Sequence, residues 1–151
     1  MHKLAILFSL ITIVSFTACK EQDEKDQDLI EQYIEDNNLV TEVTAEGIHY
    51  IITAEGQGER PNIASIIDVH YEGFTLQDEK FDSSYDRGQS QEFPLANLIQ
   101  GWQIGLQLIE EGGSITLIIP SAYAYGNNPP PGGIIGRNEV LLFNLELIDV
   151  L

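Results

Sequence analysis

Two long runs of alternating apolar and polar residues place the strongest constraint on how this chain can fold. In SIIDVHYEGF, residues 65–74, the side chains of Ile67, Val69 and Tyr71 would share one face of a strand, and polar side chains would share the other. The run VLLFNLELIDV at 140–150 repeats the pattern. A period of two indicates a half-buried β-strand, and sheets with one solvated face are usually antiparallel. The sequence therefore predicts an antiparallel sheet.

One helical pattern interrupts the predicted strands. Trp102, Leu106 and Ile109 recur at intervals of four and three residues, which indicates a short amphipathic helix. Two further apolar runs, GIHYIIT at 47–53 and SITLIIP at 114–120, are predicted strands. The predicted fold class is α+β, with a curved antiparallel sheet of five or six strands whose apolar face wraps around one short α-helix.

Length and charge limit the classes of function. A chain of 151 residues is long enough for a single packed domain. It has 24 acidic residues against 7 lysines and arginines, a formal net charge of −17. Such a surface repels phosphate backbones and anionic lipid head groups, so no nucleic-acid partner is expected, and membrane contact is expected only through an anchor.

Residues 1–18 have the pattern of a signal peptide. Lys3 precedes thirteen mostly apolar residues, 4–16, and small residues follow. Thirteen residues are too few to span a bilayer, which needs roughly 20. The sequence FTAC before Cys19 resembles the lipobox of bacterial lipoproteins, although Phe16 replaces the usual Leu-like residue.

The lipobox resemblance implies that Cys19 is lipidated. The protein would then be exported and anchored to a bacterial membrane, on its periplasmic face or at the cell surface. The alternative is an ordinary secretory peptide followed by a buried free thiol. A single cysteine forms no internal disulfide, so the core must stabilise the fold unaided.

Residues 19–46 are predicted to be a lipid-anchored acidic linker that contains a short helix. Residues 20–28, KEQDEKDQD, include no apolar side chain and are typical of a solvated tether. The acidic run also resembles a surface-export signal, and both interpretations stay open. A helix over about 26–37 is predicted because apolar residues recur there at helical spacing. Its apolar stripe could dock on the domain or pair with a second copy, and the sequence does not decide between them.

The sequence lacks the residues that most active-site chemistries need. The three histidines are scattered and the cysteine is alone, so no metal site is expected. The chain has no glycine-rich phosphate loop and no G-x-S-x-G motif, and no cofactor is expected. The remaining candidate is an apolar pocket with a few polar groups.

Five short motifs, which occur in a fixed order, are the basis of a family resemblance. They are VHYEG, KFDSS, LIQGWQIGL, YAYG and LLFNLEL. Together they resemble the FKBP-type peptidyl-prolyl cis-trans isomerases over residues 47–151, which would form the isomerase domain. The resemblance implies a half-barrel sheet around a helix, with the ligand pocket between them.

The resemblance also implies roles for individual residues. Asp82, Tyr125 and the backbone N–H of Ile99 would be catalytic, and Arg87 would support the Asp82 carboxylate together with Tyr71. The substrate-binding residues would be Tyr71, Phe81, Phe93, Leu98, Trp102, Ile134, Ile135 and Phe143. Other interpretations stay open at this stage: FDSS could be a polar turn, Trp102 a plain core residue, and Tyr125 a turn-packing residue.

The implied activity is rotation about Xaa-Pro peptide bonds in exported polypeptides, without covalent chemistry. Macrolide inhibitors are further candidate ligands. Gln91 stands where related domains often have an aromatic residue, and Pro129, Pro130 and Pro131 precede the two isoleucines of the long loop. These departures leave the substrate preference and macrolide affinity open. Two alternatives are a catalytically weak proline-peptide binding module or chaperone lipoprotein, and a structural lipoprotein that recruits a partner through its acidic helix.

Overall fold

The computed structural model describes the backbone of residues 5–151 and the side chains of residues 20–151. The predicted signal peptide and the Cys19 side chain, with its lipidation, lie outside the residues described in full. Both stay predictions.

Residues 5–151 form two α-helices, seven β-strands and two 3-10 turns. In chain order they are α1 (Ala5–Asp36), β1 (Glu42–Val43), β2 (His49–Ala54), β3 (Ile66–Thr75), β4 (Lys80–Ser83), β5 (Gln91–Pro94), a 3-10 turn (Leu95–Asn97), α2 (Gln100–Leu106), β6 (Ser114–Ile119), a second 3-10 turn (Ser121–Tyr123) and β7 (Leu141–Val150).

All strand pairs are antiparallel, in the order β1-β2-β6-β7-β3-β4. Strand β5 pairs with the first half of β3, beside the part of β3 that pairs with β4. The predicted antiparallel sheet around a short helix is confirmed. It has seven strands rather than five or six, because β1 and β5 are too short to show a period.

Helix α2 packs very close to the sheet. A Cβ atom on Gly101 would lie 2.5 Å from Ile119 Cγ2, and one on Gly105 would lie 2.4 Å from Leu117 Cδ1. The two glycines therefore allow the helix backbone to contact β6 directly. Helix α2 ends at Leu106, earlier than the spacing predicted, although Ile109 is still fully buried in the turn that follows.

Helix α1 docks on the opposite face of the sheet from α2. Ile30 is fully buried and packs with Ile118, Val140 and Leu142 in a second apolar cluster. The prediction left open whether this stripe would dock or pair with another copy, and in the structure it docks. The helix also begins well before residue 26. Within the segment predicted to be a solvated tether, Asp26 is fully buried.

No helix among the residues with described placement combines the length and the apolarity that crossing a bilayer requires.

Candidate functional site

A concave pocket opens between α2 and the inner face of the sheet. Its volume is about 230 Å³, and eight of its nine lining residues carry an aromatic ring or an aliphatic side chain. The strands, the helix and two loops all contribute to the wall, which consists of Tyr71, Phe81, Asp82, Phe93, Leu98, Ile99, Trp102, Tyr125 and Phe143. All nine are among the site residues that the family resemblance implied.

Trp102 forms the floor of the pocket. It is 4% exposed, and its ring meets those of Tyr71 and Phe143 nearly edge-on, with centroids 5.1 Å and 5.2 Å apart. Phe93 lies at 6.5 Å in the same orientation. Edge-to-face packing is favoured by the charge distribution of aromatic rings. Trp102, Tyr71, Phe93 and Phe143 therefore form an aromatic box at the base of the pocket.

Gly73 is a site residue that the sequence analysis missed. A Cβ atom there would lie 2.4 Å from Phe81 Cζ and 2.9 Å from Phe143 Cε1. Because Gly73 has no side chain, these two rings can meet edge-to-face across β3, with centroids 5.5 Å apart. A glycine inside a strand often marks such a close approach, so the final residue of the VHYEG motif was an available signal.

Asp82 is the charged residue at the rim of this pocket. Its Oδ2 accepts a 2.7 Å hydrogen bond from the Tyr71 hydroxyl, and its Oδ1 forms a 2.5 Å ion pair with Arg87 Nη1. Arg87 Nη2 donates to the Tyr71 hydroxyl at 2.7 Å, which closes a ring of three side chains. The backbone N–H of Ser83 also donates to Oδ1. Tyr71 and Arg87 therefore contact the Asp82 carboxylate, as expected.

These contacts determine the charge state of the site. Burial raises the pKa of Asp82, but hydrogen bonds from Arg87 and Tyr71 outweigh it and lower the pKa below the ordinary value. Burial raises the pKa of Tyr71, and its hydrogen bond to Asp82 adds to the effect. Burial and the charge of Asp82 raise the pKa of Tyr125. Near neutral pH the carboxylate is therefore ionised, and both phenols keep their protons.

The contribution of the Asp82 carboxylate to the free energy of unfolding should decrease when the pH is lowered into the acid range. Because the pKa of Asp82 is depressed in the folded state, its contribution is fully present above its ordinary pKa of about 4 and is lost as pH falls through the lower folded value. The pair is partly exposed, so we expect a contribution of about 1 kcal/mol or less. The measurement is the free energy of unfolding of wild type minus that of Asp82→Asn, from pH 7 down to pH 2.

The expected difference is constant at higher pH and shrinks only in the acid range. A difference that is already shrinking above pH 5 would contradict a depressed pKa for Asp82. An Asp86→Asn variant is the control, because Asp86 lies in the same loop and pairs with Lys80 rather than with Tyr71 or Arg87.

The residues that carry the two hydrogen-bonding groups predicted at the pocket, Ile99 and Tyr125, both line it. Ile99 immediately precedes α2, and an N–H at this position has no acceptor within the helix. The carbonyl of Ile99 accepts a hydrogen bond from Trp102 N. Gln103 Nε2 donates to the carbonyl of Leu98 at 2.7 Å and so fixes this approach to the helix. Tyr125 follows the second 3-10 turn and faces the same cavity.

The structure does not bring Ile134 or Ile135 to the wall of the pocket. Ile134 is 53% exposed, whereas Ile135 is half-buried and packs against the edge of the main core. Both lie on the long loop between the second 3-10 turn and β7, where Gly132 adopts a positive φ of 80°. Their substrate-binding roles stay predictions, as do the roles of the nine residues that line the cavity.

In the part of the chain with described side chains, no group of three or more histidine, cysteine, aspartate or glutamate residues is placed to hold a metal ion.

The chain is similar to known proteins of one family. Residues 57–148 match the family model described as FKBP-type peptidyl-prolyl cis-trans isomerase. The chain is 41% identical over 107 residues to the FKBP-type peptidyl-prolyl cis-trans isomerase FkpA of Buchnera aphidicola, covering 71% of this chain and 42% of that protein. It is 41% identical over 106 residues to the peptidyl-prolyl cis-trans isomerase Mip of Coxiella burnetii, covering 70% and 46% of the two chains.

The fold has solved counterparts. The crystal structure of FkpA from Escherichia coli superposes with a TM-score of 0.72 at 31% identity, covering 97% of this chain and 70% of that one. The chain spans less than half the length of the two curated relatives described above.

Proposed function

The chain belongs to the FKBP-type peptidyl-prolyl cis-trans isomerase family, and on this premise we propose that its pocket accelerates rotation about Xaa-Pro peptide bonds. The observation that supports this most directly is a pocket lined by six aromatic rings, with one ion-paired carboxylate at its rim. The box offers an apolar surface for a prolyl ring. The carboxylate and the Tyr125 hydroxyl offer polar contacts to the atoms around it.

The barrier to be lowered arises from amide resonance. Rotation about the C–N bond costs about 18–20 kcal/mol, because the planar amide has partial double-bond character. Water stabilises the planar, charge-separated form through the carbonyl oxygen. A pocket lined by Phe81, Phe93, Trp102 and Phe143 removes that water, which raises the planar amide in free energy relative to the twisted one.

The polar groups would hold the substrate while the bond turns. Ile99 and Tyr125 both line the cavity, and the Ile99 N–H and the Tyr125 hydroxyl would donate hydrogen bonds to substrate carbonyls. The ionised Asp82 would act through its charge on the twisting amide, and Tyr71 with Arg87 keeps that carboxylate at the rim. No bond to the protein forms or breaks, so neither a nucleophile nor a proton shuttle is required.

The substrates we propose are proline-containing polypeptides in an exported compartment. The support is the N-terminal sequence, with a signal-peptide pattern ahead of Cys19, which would be lipidated and would anchor the chain to a bacterial membrane. Uncatalysed Xaa-Pro exchange takes tens of seconds or longer, which is slow enough to limit folding after export. Macrolide inhibitors are proposed as further ligands of the same pocket.

An isomerisation assay on the full chain in mild detergent tests the proposal. We expect the cis-to-trans rate of a chromogenic Xaa-Pro peptide to rise in proportion to protein concentration, because the pocket favours the twisted amide. The control is the same peptide in detergent buffer with an equal concentration of acid-unfolded protein. Peptide binding without acceleration would identify a binding module instead, and an absence of both would refute the proposed function.

A further inference from the structure

A carboxylate on α1 is fully buried beneath the loop that leads to Tyr125. Asp26 is 0% exposed, and its Oδ2 accepts hydrogen bonds from the backbone N–H of Ser121 at 2.8 Å and from its hydroxyl at 2.6 Å. The other oxygen accepts from Gln22 Nε2 at 2.6 Å. A buried carboxylate is costly unless its oxygens are hydrogen-bonded, and all three of these donors meet that need.

Ser121 transmits this contact into the loop. It is 1% exposed, and its carbonyl accepts hydrogen bonds from the N–H groups of Ala124 at 3.1 Å and Gly126 at 2.9 Å. Tyr125 lies between these two donors. Gly126 adopts a positive φ of 52°, and its own carbonyl accepts from Asn138 N at 2.8 Å. The backbone on both sides of Tyr125 is therefore bonded to the residue that Asp26 holds.

Docking of α1 does not by itself require this carboxylate. The apolar cluster around Ile30 already attaches the helix to the sheet through Ile118 and Leu142. Asp26 lies four residues before Ile30, one helical turn away, and contacts a loop rather than the sheet. The carboxylate thus adds a directional link between α1 and one loop, in addition to the non-directional apolar contact.

We propose that Asp26 is a positioning residue, which fixes the Tyr125 hydroxyl in the pocket by accepting hydrogen bonds from the backbone N–H and the hydroxyl of Ser121. This inference rests on the proposed isomerase function. Helix α1 would then contribute to the site, because it would fix the conformation of the Ser121–Gly126 loop from the opposite face of the sheet. The link joins residues 95 positions apart in the sequence.

A double-mutant cycle on the full chain in detergent tests the proposal. Asp26→Ala is expected to lower kcat by about fivefold with KM within about twofold, and Tyr125→Phe to lower kcat by about tenfold. In the Tyr125→Phe background, Asp26→Ala should cause less than about a twofold further loss, because the group it positions is already gone. Asp26→Asn keeps an acceptor for Ser121 and should stay within about twofold of wild type.

The matched control is Asp28→Asn, which removes the same charge from an exposed position on the same helix and should leave kcat unchanged. The proposal is overturned if folded Asp26→Ala has the kcat of wild type, or if Asp28→Asn lowers kcat as much as Asp26→Ala does. It is also overturned if Asp26→Ala lowers kcat by the same factor in the Tyr125→Phe background as in wild type. If Asp26→Ala does not fold, Ser121→Ala removes the hydroxyl bond alone. It should then show a smaller loss of kcat that disappears in the Tyr125→Phe background, and no loss would overturn the proposal.

A second readout separates this inference from the proposed function. With fluorotyrosine incorporated throughout, the ¹⁹F signal of Tyr125 is assigned by its absence in Tyr125→Phe. We expect that signal to shift or broaden in Asp26→Ala but not in Asp28→Asn. An inactive wild type would refute the isomerase function, whereas an unchanged Tyr125 signal in folded Asp26→Ala would refute the positioning role by itself.

Discussion

Asp82→Ala should lower kcat/KM for Xaa-Pro peptides by about one to two orders of magnitude, equivalent to ~1.4–3 kcal/mol of transition-state stabilisation. Two effects combine in this variant. The charge that would act on the twisting amide disappears, and Arg87 and Tyr71 lose the acceptor that aligns them at the rim. The measurement is the isomerisation rate over a range of protein concentrations, with circular dichroism to confirm that the variant is folded.

Asp82→Asn separates the two effects. The amide keeps the shape of the side chain and an oxygen for the Tyr71 hydroxyl, but it lacks the charge. If it is as slow as Asp82→Ala, the charge matters, whereas near-wild-type activity would leave only a role in holding the loop.

A matched control lies four residues further on in the same loop. Asp86 is exposed and forms an ion pair with Lys80 rather than with any pocket residue. Asp86→Ala should therefore keep kcat/KM within about twofold of wild type, because surface ion pairs contribute little. A loss in Asp86→Ala as large as in Asp82→Ala would assign the effect to loop disorder. An unchanged rate in Asp82→Ala would remove Asp82 from the mechanism.

Periodicity and motif order predicted much of the molecule, and the reason differs between elements. Strands β3 and β7 are ten residues long, enough for a period of two to be recognised, and the inward-facing Ile67, Val69 and Tyr71 of β3 and Leu145 and Leu147 of β7 are buried. Strands β1 and β5 have two and four residues, and their existence depends on the neighbours they pair with. The nine residues that line the cavity could be named from the sequence because each lies in or close to a motif with a local signature, whereas their roles stay predictions.

Contacts between distant segments were not predictable in the same way. Nothing in the sequence around Asp26 distinguishes it from the other acids of the run, yet it is buried because Ser121 offers it two donors from across the fold. Gly73 had a signal, its position inside a strand, but its function depends on two rings brought from β4 and β7. The loop that holds Ile134 shows the converse, since the family resemblance implied a pocket role for Ile134 but its side chain does not line the cavity.

Trp102→Ala should destabilise the protein by about 3–5 kcal/mol, because truncating a buried aromatic ring leaves a cavity as well as losing its burial. The ring lies 4% exposed at the centre of the box, where it contacts both the pocket and the core. The measurement is the free energy of unfolding in urea, and a Tm lower by about 10 °C should accompany it. In the folded fraction, kcat/KM should also fall, since Tyr71, Phe93 and Phe143 lose the surface they pack on.

Two comparisons separate the core role of Trp102 from its role as the pocket floor. Trp102→Phe keeps an aromatic ring in α2 and should recover most of the stability, so any remaining loss of kcat/KM reports on the floor alone. Tyr85→Ala is the control, because Tyr85 is 48% exposed on the outside of the sheet and should cost about 1 kcal/mol or less. A loss below about 1 kcal/mol in Trp102→Ala would show that the box does not depend on its floor. The packing of the pocket would then be soft, and the argument that a rigid dry cavity favours the twisted amide would fail with it.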